Sequence, residues 1–469
     1  MRAGDRINRA LLAIGIYEWR WLRWVFAAII RIVWVFGNEA RALHVLHRFG
    51  DHLVWSGWPF SQGWVNLHAS RFATHVEHAV WGLPATPARP VSTKLDRPLK
   101  VGVLASFHLT LGTQRPLFER VPNDLIELHL FDRLAGRPSA EYLAPYAASY
   151  HALSNDSPNE FAAAINKVQP DLLLSIVPKP IVYRMFELID TPCIAHVCTG
   201  SDLMHHPRVA YHVFTQPEFG YGLRDGRVHC EFTNRPFGDV KGYASWLVCD
   251  ARDLDRRPRR GWAEREPLIA WHGSLYKLCS GPFLDVIFDV LDRHREARVE
   301  YFGKGPQLTE IARRAGSRNL ADRVVHRGVA GFARDERGEL QLQTFAELRD
   351  TLSRARLWPD SFPIGGGSAR FEAYVAGVPS VHMAPTADPP KGPYDDGSLL
   401  ELPWLEARNG VAHSRDEYVE MMERCLVDQS FAESLVGAQD AVAAAVLDAD
   451  AWWRHMRACY DDWSRSAHP

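Results

Sequence analysis

The sequence predicts an α/β protein with two parallel-sheet domains, an all-helical segment before them and a C-terminal helix after them. Three observations predict it. Short buried strands alternate with amphipathic helices from residue 98 onward. The alternation halts at an arginine-rich stretch and restarts near residue 266. Before residue 98 the texture differs, because eight of the 16 Trp lie there: Trp19, Trp21, Trp24, Trp34, Trp55, Trp58, Trp64 and Trp81.

A length of 469 residues allows about three domains at ~150 residues each. A composition of 46% hydrophobic and 23% charged residues excludes a disordered, collagen-like or small disulfide-stapled chain. A formal net charge of −2 gives no global basic field for nucleic acid. The Cys at 193, 198, 230, 249, 279, 425 and 459 are odd in number and form no CxxC pair. That speaks against a zinc ribbon or thioredoxin-type site and for a reducing, cytoplasmic compartment.

Residues 1–97 read as helices and loops, with Leu43, Leu46 and Val54, then Phe72, Val76 and Val80, at helical spacing. No tetratricopeptide period of 34 residues is found. The apolar stretch Leu11 to Phe36 is broken by Glu18, Arg20, Arg23 and Arg31, and its longest clean run is Trp24 to Ile30. That is far short of the ~18–20 residues that a spanning helix needs. The preferred reading is a buried helix of an all-α domain. The other is peripheral membrane contact, with indole rings at the headgroup level and Arg toward lipid phosphate. Pro84, Pro87 and Pro90 mark a linker.

Residues 98–255 form the first α/β domain. Val101–Ala105 is a buried strand, "LIELHLFD" a second, and "FAAAINKVQPDLLLSIV" a helix, a stop at Pro170 and a strand. "TPCIAHVCTG" and "AYHVFTQ" add two more strands, completing a Rossmann-like pattern. Arg256, Arg257, Pro258, Arg259 and Arg260 read as a linker, and the second domain occupies 256–445. Its elements are the strand in "PLIAWHGS", the helix "FLDVIFDVLDRH", the strand "ARVEYFG", the helix "LTEIARRAG", the strand "DRVVHRGV", the helix "TFAELRDTLSRA" and the strand in "RLWPDSFP". Then follow "GGGSARFEAYVAGVPSVHM" as loop, helix, turn and strand, the helix "RDEYVEMMERCLVD", and a C-terminal helix in 446–469. Two such domains in tandem imply a cleft at the carboxyl ends of their strands, where open α/β sheets bind ligands.

The most informative stretch is Asp360 to Met383. Gly365, Gly366 and Gly367 allow backbone to approach an anion closely, and Ser368 can cap the next helix and donate to phosphate. Glu372, one turn on, suits two ribose hydroxyls. The helix ends at "AGVP". This segment resembles the donor domain of GT-B glycosyltransferases. The retaining members usually carry two Glu separated by seven residues, and the first would fall on Ile364. The pattern is closer to the O-linked N-acetylglucosamine transferase-like family and the bacterial soluble protein N-glucosyltransferases. Glu372 stands for their usual Asp, and Gly367 and Ala369 stand where they often have His and Thr. "WHGSLYKLCSGPF" resembles a second motif of that family, which implies that Lys277 contacts the donor diphosphate and stabilises charge on the leaving group. "DRVVHRGVAG" resembles the nucleobase-side loop, with Val329 and Ala330 offering backbone groups; His326 reads better as a packed strand residue.

On the acceptor side, the resemblance implies that His108, after the first strand, lies near the reaction centre, where imidazole suits proton transfer. Gly112, Thr113, Gln114, His196, Thr199, Gly200, Ser201 and Asp202 are further cleft candidates. His205 and His206 are adjacent, point apart and lack a carboxylate or Cys at ligand spacing, so no metal is expected. The implied activity is transfer of a hexosyl or N-acetylhexosaminyl group from a nucleotide sugar, UDP-linked, to an acceptor such as a protein side chain. The reaction is expected to be inverting, metal-independent and free of other cofactors. A retaining transferase, a UDP-sugar epimerase and a non-catalytic scaffold on the same fold stay open as alternatives.

Overall fold

The structure, a computed structural model, describes residues 20–36, 76, 96–105, 117–132, 143–153, 158–176, 180–198, 206–214, 221–224, 227–230, 235–244, 259–279, 282–303, 305–329, 333–334, 340–341, 343–362, 369–383 and 410–467. The chain divides into two compact units, one of Met1–Leu111, Leu117–Trp246 and Ala449–Pro469, the other of Gly112–Pro116 and Leu247–Asp448. Of the N-terminal readings, only helix α1 (Arg20–Phe36) and Val76 fall within the described residues.

The first unit is built on nine strands: β1 (Leu99–Ala105), β2 (Ile126–Asp132), β3 (Ser149–Ala152), β4 (Leu172–Ser175), β5 (Cys193–Cys198), β6 (Val209–Phe214), β7 (Tyr221–Arg224), β8 (Arg227–Cys230) and β9 (Arg235–Ala244). Their order is β3-β2-β1-β4-β5-β6-β9-β8-β7. Every pairing from β3 across to β9 is parallel, and β9-β8-β7 are antiparallel. Parallel central strands are covered on both faces, which is why Val101, Val103, Leu128, Leu130, Leu172 and Leu174 are all buried. Helices α2 (Pro158–Val168) and α3 (Pro180–Leu188) are the crossovers, and α2 buries Phe161 and Ile165 while Pro170 follows its end. Arg97 forks onto Asp171, with Nη1–Oδ2 at 2.8 Å and Nη2–Oδ1 at 3.0 Å, and thereby fastens the entry of β1 to that of β4. Strands β3 and β7–β9 go beyond the sequence reading. The Asp225–Gly226 dipeptide between β7 and β8 is the hairpin signal that points to two of them.

The second unit has the same strand order at smaller scale. Strands β10 (Glu266–His272), β11 (Arg298–Phe302), β12 (Val324–His326), β15 (Ala355–Pro359), β16 (Ser380–Met383) and β17 (Val411–Ala412) stand as β12-β11-β10-β15-β16-β17, all parallel. A two-stranded antiparallel ribbon, β13 (Ala333–Arg334) and β14 (Leu340–Gln341), follows β12. The helices are α4 (Leu275–Leu278), α5 (Phe283–Arg293), α6 (Leu308–Ser317), α7 (Gln343–Arg354), α8 (Ala369–Val375), α9 (Arg415–Val427) and α10 (Gln429–Leu447). One continuous core runs from Trp271, Phe288 and Val299 to Tyr418, Met422 and Leu435. The last helix, α11 (Ala449–Ala467), belongs to the first unit, where Trp453 Nε1 donates to Leu117 O at 2.7 Å and Tyr243 OH donates to Asp462 at 2.6 Å.

Both sheets therefore reverse direction beside their first strand: between β1 and β4, and between β10 and β15. In open α/β sheets the carboxyl ends of the strands flanking that reversal are where ligands bind.

Candidate functional site

The second unit carries a set of chemical groups at this reversal. Strand β10 runs straight into the four-residue helix α4, which holds Lys277. The turn is tight: Gly273 N donates to Phe302 O at 3.1 Å, and a Cβ on Gly303 (φ +155°) would sit 2.3 Å from Gly273 O. Only glycine lets the ends of β10 and β11 close in this way. Lys277 is half-buried. Burial pushes its ammonium below the ordinary value, and the negative charge of Asp360 opposes that fall.

Asp360 follows β15, on the other side of the reversal, and is fully buried. Tyr374 O–H donates to His382 Nε2 at 2.8 Å, and His382 Nδ1 lies 3.0 Å from Asp360 Oδ2. Arg370 Nη1 is 3.7 Å from the same oxygen, and Tyr418 O–H donates to the Asp360 carbonyl at 2.6 Å. Burial lowers the His382 pKa against the pull of Asp360, so the imidazole stays neutral as an Nδ1–H donor. Burial also lowers the Arg370 guanidinium to about 10. This network ties α8 to β15, β16 and α9.

Glu372 lies on α8, a seven-residue helix whose residues from Arg370 to Val375 are all buried. Its Oε2 is 3.0 Å from His272 Nε2, at the end of β10. Trp358 Nε1, from β15, donates to His272 Nδ1 at 3.1 Å. A ring nitrogen that accepts from an indole carries no proton, so the His272 proton sits on Nε2, which is close to the carboxylate but makes no hydrogen bond to it. Helix α8 ends at Gly377, whose φ of +65° is the left-handed C′ conformation; Gly377 N donates to Tyr374 O at 2.9 Å and Val378 N to Ala373 O at 2.9 Å.

Of the residues singled out from sequence, Lys277, Glu372, Val329 and His196 are described. Lys277 and Glu372 both lie on segments that leave the β10/β15 reversal. Val329 is half-buried just beyond β12; His326, expected as a packed strand residue, is instead exposed, although its Nε2 donates to Gly303 O at 2.9 Å. His196, in the first unit, is fully buried; its Nδ1 donates to Ser175 O at 2.9 Å and its ring meets His212 edge-on. His206 lies 3.1 Å from Glu187. His108, Gly112, Thr113, Gln114, Thr199, Gly200, Ser201, Asp202, His205, Ala330, Gly365, Gly366, Gly367 and Ser368 lie outside the described residues. Sequence reasoning missed His272, Trp358, Asp360 and Arg370. The available signal was a charged or polar residue ending a buried strand, as in "LIAWH" and "RLWPD".

No family model and no curated protein matches this sequence. Solved structures do. A point mutant of the O-GlcNAc transferase of Thermobaculum terrenum aligns over 99% of this chain and 88% of its own, with 14% identity and a TM-score of 0.62. A glycosyltransferase of Rickettsia africae aligns over 79% of this chain and 99% of its own, with 10% identity and a TM-score of 0.51. HepE of Anabaena, solved in complex with UDP and glucose, aligns over 77% and 99%, with 11% identity and a TM-score of 0.50. The chain thus shares the fold of GT-B glycosyltransferases, O-GlcNAc transferase among them, at identities that speak for fold alone.

Proposed function

We propose that this protein is a glycosyltransferase and that its second unit binds the nucleotide sugar, UDP-linked. The observation that carries the reading is the convergence of a half-buried lysine and a buried carboxylate on the β10/β15 reversal. Lys277 supplies positive charge where a leaving diphosphate gathers negative charge, and Glu372 supplies acceptor oxygens for ribose hydroxyls. The fold shared with transferases, one of them solved with UDP and glucose, supports the same reading.

The reaction we propose is direct displacement. A lone pair of the acceptor nucleophile, such as a protein side chain, attacks the anomeric carbon. The bond to the diphosphate oxygen breaks and its electron pair leaves with the nucleotide. The acceptor proton passes to a base, for which His108 is our choice, and the anomeric configuration inverts. Lys277 takes the electrostatic part, with no metal or other cofactor in the scheme.

Calorimetric titration with UDP, followed by a transfer screen over nucleotide sugars, tests the proposal. Wild type binds UDP and releases it from a sugar donor, while Lys277→Ala and Glu372→Ala lose donor affinity. Full donor affinity in both variants sinks the site. Proton NMR of the first product distinguishes inversion from retention, and turnover of UDP-N-acetylglucosamine with no acceptor reveals an epimerase instead.

A further inference from the structure

Helix α1 shows its apolar side to the outside. Val25, Ala28, Ile29, Ile32 and Val35 fall at i, i+3, i+4, i+7 and i+10, which is one helical face. All five are exposed, Val25 by 46%, Ile29 by 42%, Ile32 by 57% and Val35 by 74%. Ala27 and Ile30, on the flank away from that face, are 3% and 0% exposed. A helix resting on a water-soluble domain shows the reverse pattern, with its polar side outward. Six large hydrophobic side chains are exposed among the described residues, and four of them are on this one helix. A contiguous patch of this kind marks an interaction surface.

The charge of the segment selects the partner. Arg20, Arg23 and Arg31 belong to α1, and no Asp or Glu occurs between Glu18 and Glu39. Arg31 is itself exposed, beside the apolar face. A second copy of the chain is a poor occupant, because a two-fold contact would set this helix, which carries three Arg and no Asp or Glu in its own sequence, against itself. Its 17 described residues reach ~25 Å, and no helix among the described residues is long and apolar enough to cross a membrane. An anionic bilayer surface satisfies both halves of the pattern. Aliphatic side chains enter the acyl boundary and arginines meet lipid phosphate, while Trp19, Trp21, Trp24 and Trp34 supply the residue type that settles at the headgroup level.

We propose that α1 docks this protein flat on anionic lipid bilayers through the Val25–Ala28–Ile29–Ile32–Val35 face. Vesicle flotation of the full chain tests it, with phosphatidylcholine alone and with a 70:30 mixture of phosphatidylcholine and phosphatidylglycerol. Wild type floats with the anionic vesicles, stays in solution with the neutral ones, and is released as NaCl rises from 0.1 to 0.5 M. Ile32→Glu/Val35→Glu changes two side chains already in water, so its melting temperature stays at the wild-type value while partitioning falls at least tenfold. Val427→Glu, at an equally exposed apolar residue of the second unit, floats like wild type. Three results overturn the proposal: wild type that floats with neither vesicle, wild type that floats equally with both, or an Ile32→Glu/Val35→Glu variant that floats like wild type. Sedimentation of wild type as a dimer that this double variant splits, without vesicle binding, assigns the face to a second copy instead.

Discussion

Glu372 is almost fully buried, only 6% exposed. His272 Nε2 lies 3.0 Å from its Oε2 but without a hydrogen bond, and Trp358 keeps the imidazole proton on that nitrogen by occupying Nδ1. The indole thus acts on Glu372 through the imidazole. Trp358→Phe frees His272 to adopt the Nδ1–H tautomer, which turns a lone pair toward the carboxylate. UDP affinity is then expected to fall about fivefold, as the lone pair disfavours the Glu372 position that holds the ribose, an effect of ~1 kcal/mol. The nitrogen-15 shifts of His272 report the tautomer change independently of binding. Lys277 and Glu372 separate by ligand: Lys277→Ala weakens UDP by roughly tenfold or more and leaves uridine untouched, whereas Glu372→Ala weakens both. Equal losses for both ligands in Lys277→Ala would place the lysine away from the diphosphate. Lys277 and Glu372 stand out as candidates in sequence because their motifs are local. His272 and Trp358 do not, because nothing in "WHGS" or "RLWPD" says that two strands 86 residues apart lie side by side.

At the scale of elements, two features set the stability of the second unit. Helix α8 stops at Gly377 in a conformation that costs an L-residue ~1 kcal/mol, and an added Cβ there would meet Arg259 Cδ at 2.8 Å. Arg259 also donates to Val375 O at 3.2 Å and pairs with Asp440, so it is held by the second unit rather than free in a linker. Gly377→Ala is expected to destabilise by about 1–2 kcal/mol, read from urea unfolding. The second feature is Glu300 on β11, whose carboxylate is fully buried. Burial alone would raise its pKa, yet the Arg327 hydrogen bond and the charges of Arg354 and Arg327, with Arg298 beside them, hold it at about 2. A folded pKa below the unfolded 4.5 means stability that is present above pH 4.5 and lost as pH falls toward 2. Acid titration of the melting temperature is expected to show wild type losing stability through that window, and Glu300→Gln, already destabilised at pH 7, losing less. Parallel slopes for the two proteins between pH 4.5 and 2 would remove Glu300 from the acid response.

For the whole molecule, two units with separate sheets are expected to melt in two steps. UDP at 100 times its dissociation constant adds ~2.7 kcal/mol to the unit that binds it, so it should raise one calorimetric transition and leave the other in place. Movement of both, or of neither, contradicts a donor site confined to the second unit. Much of this organisation follows from sequence alone, because strand–helix alternation and glycine- and proline-marked turns are short-range properties of the chain: the α/β class and most strands of both sheets. The amphipathic pattern of α1 is equally local. What the sequence left open was which side of α1 faces outward, that α11 returns to the first unit, that both sheets reverse order beside their first strand, and which groups press on Glu372 and Asp360. Those are matters of tertiary structure, because burial and strand order depend on contacts between residues far apart in the chain, and periodicity carries no record of them.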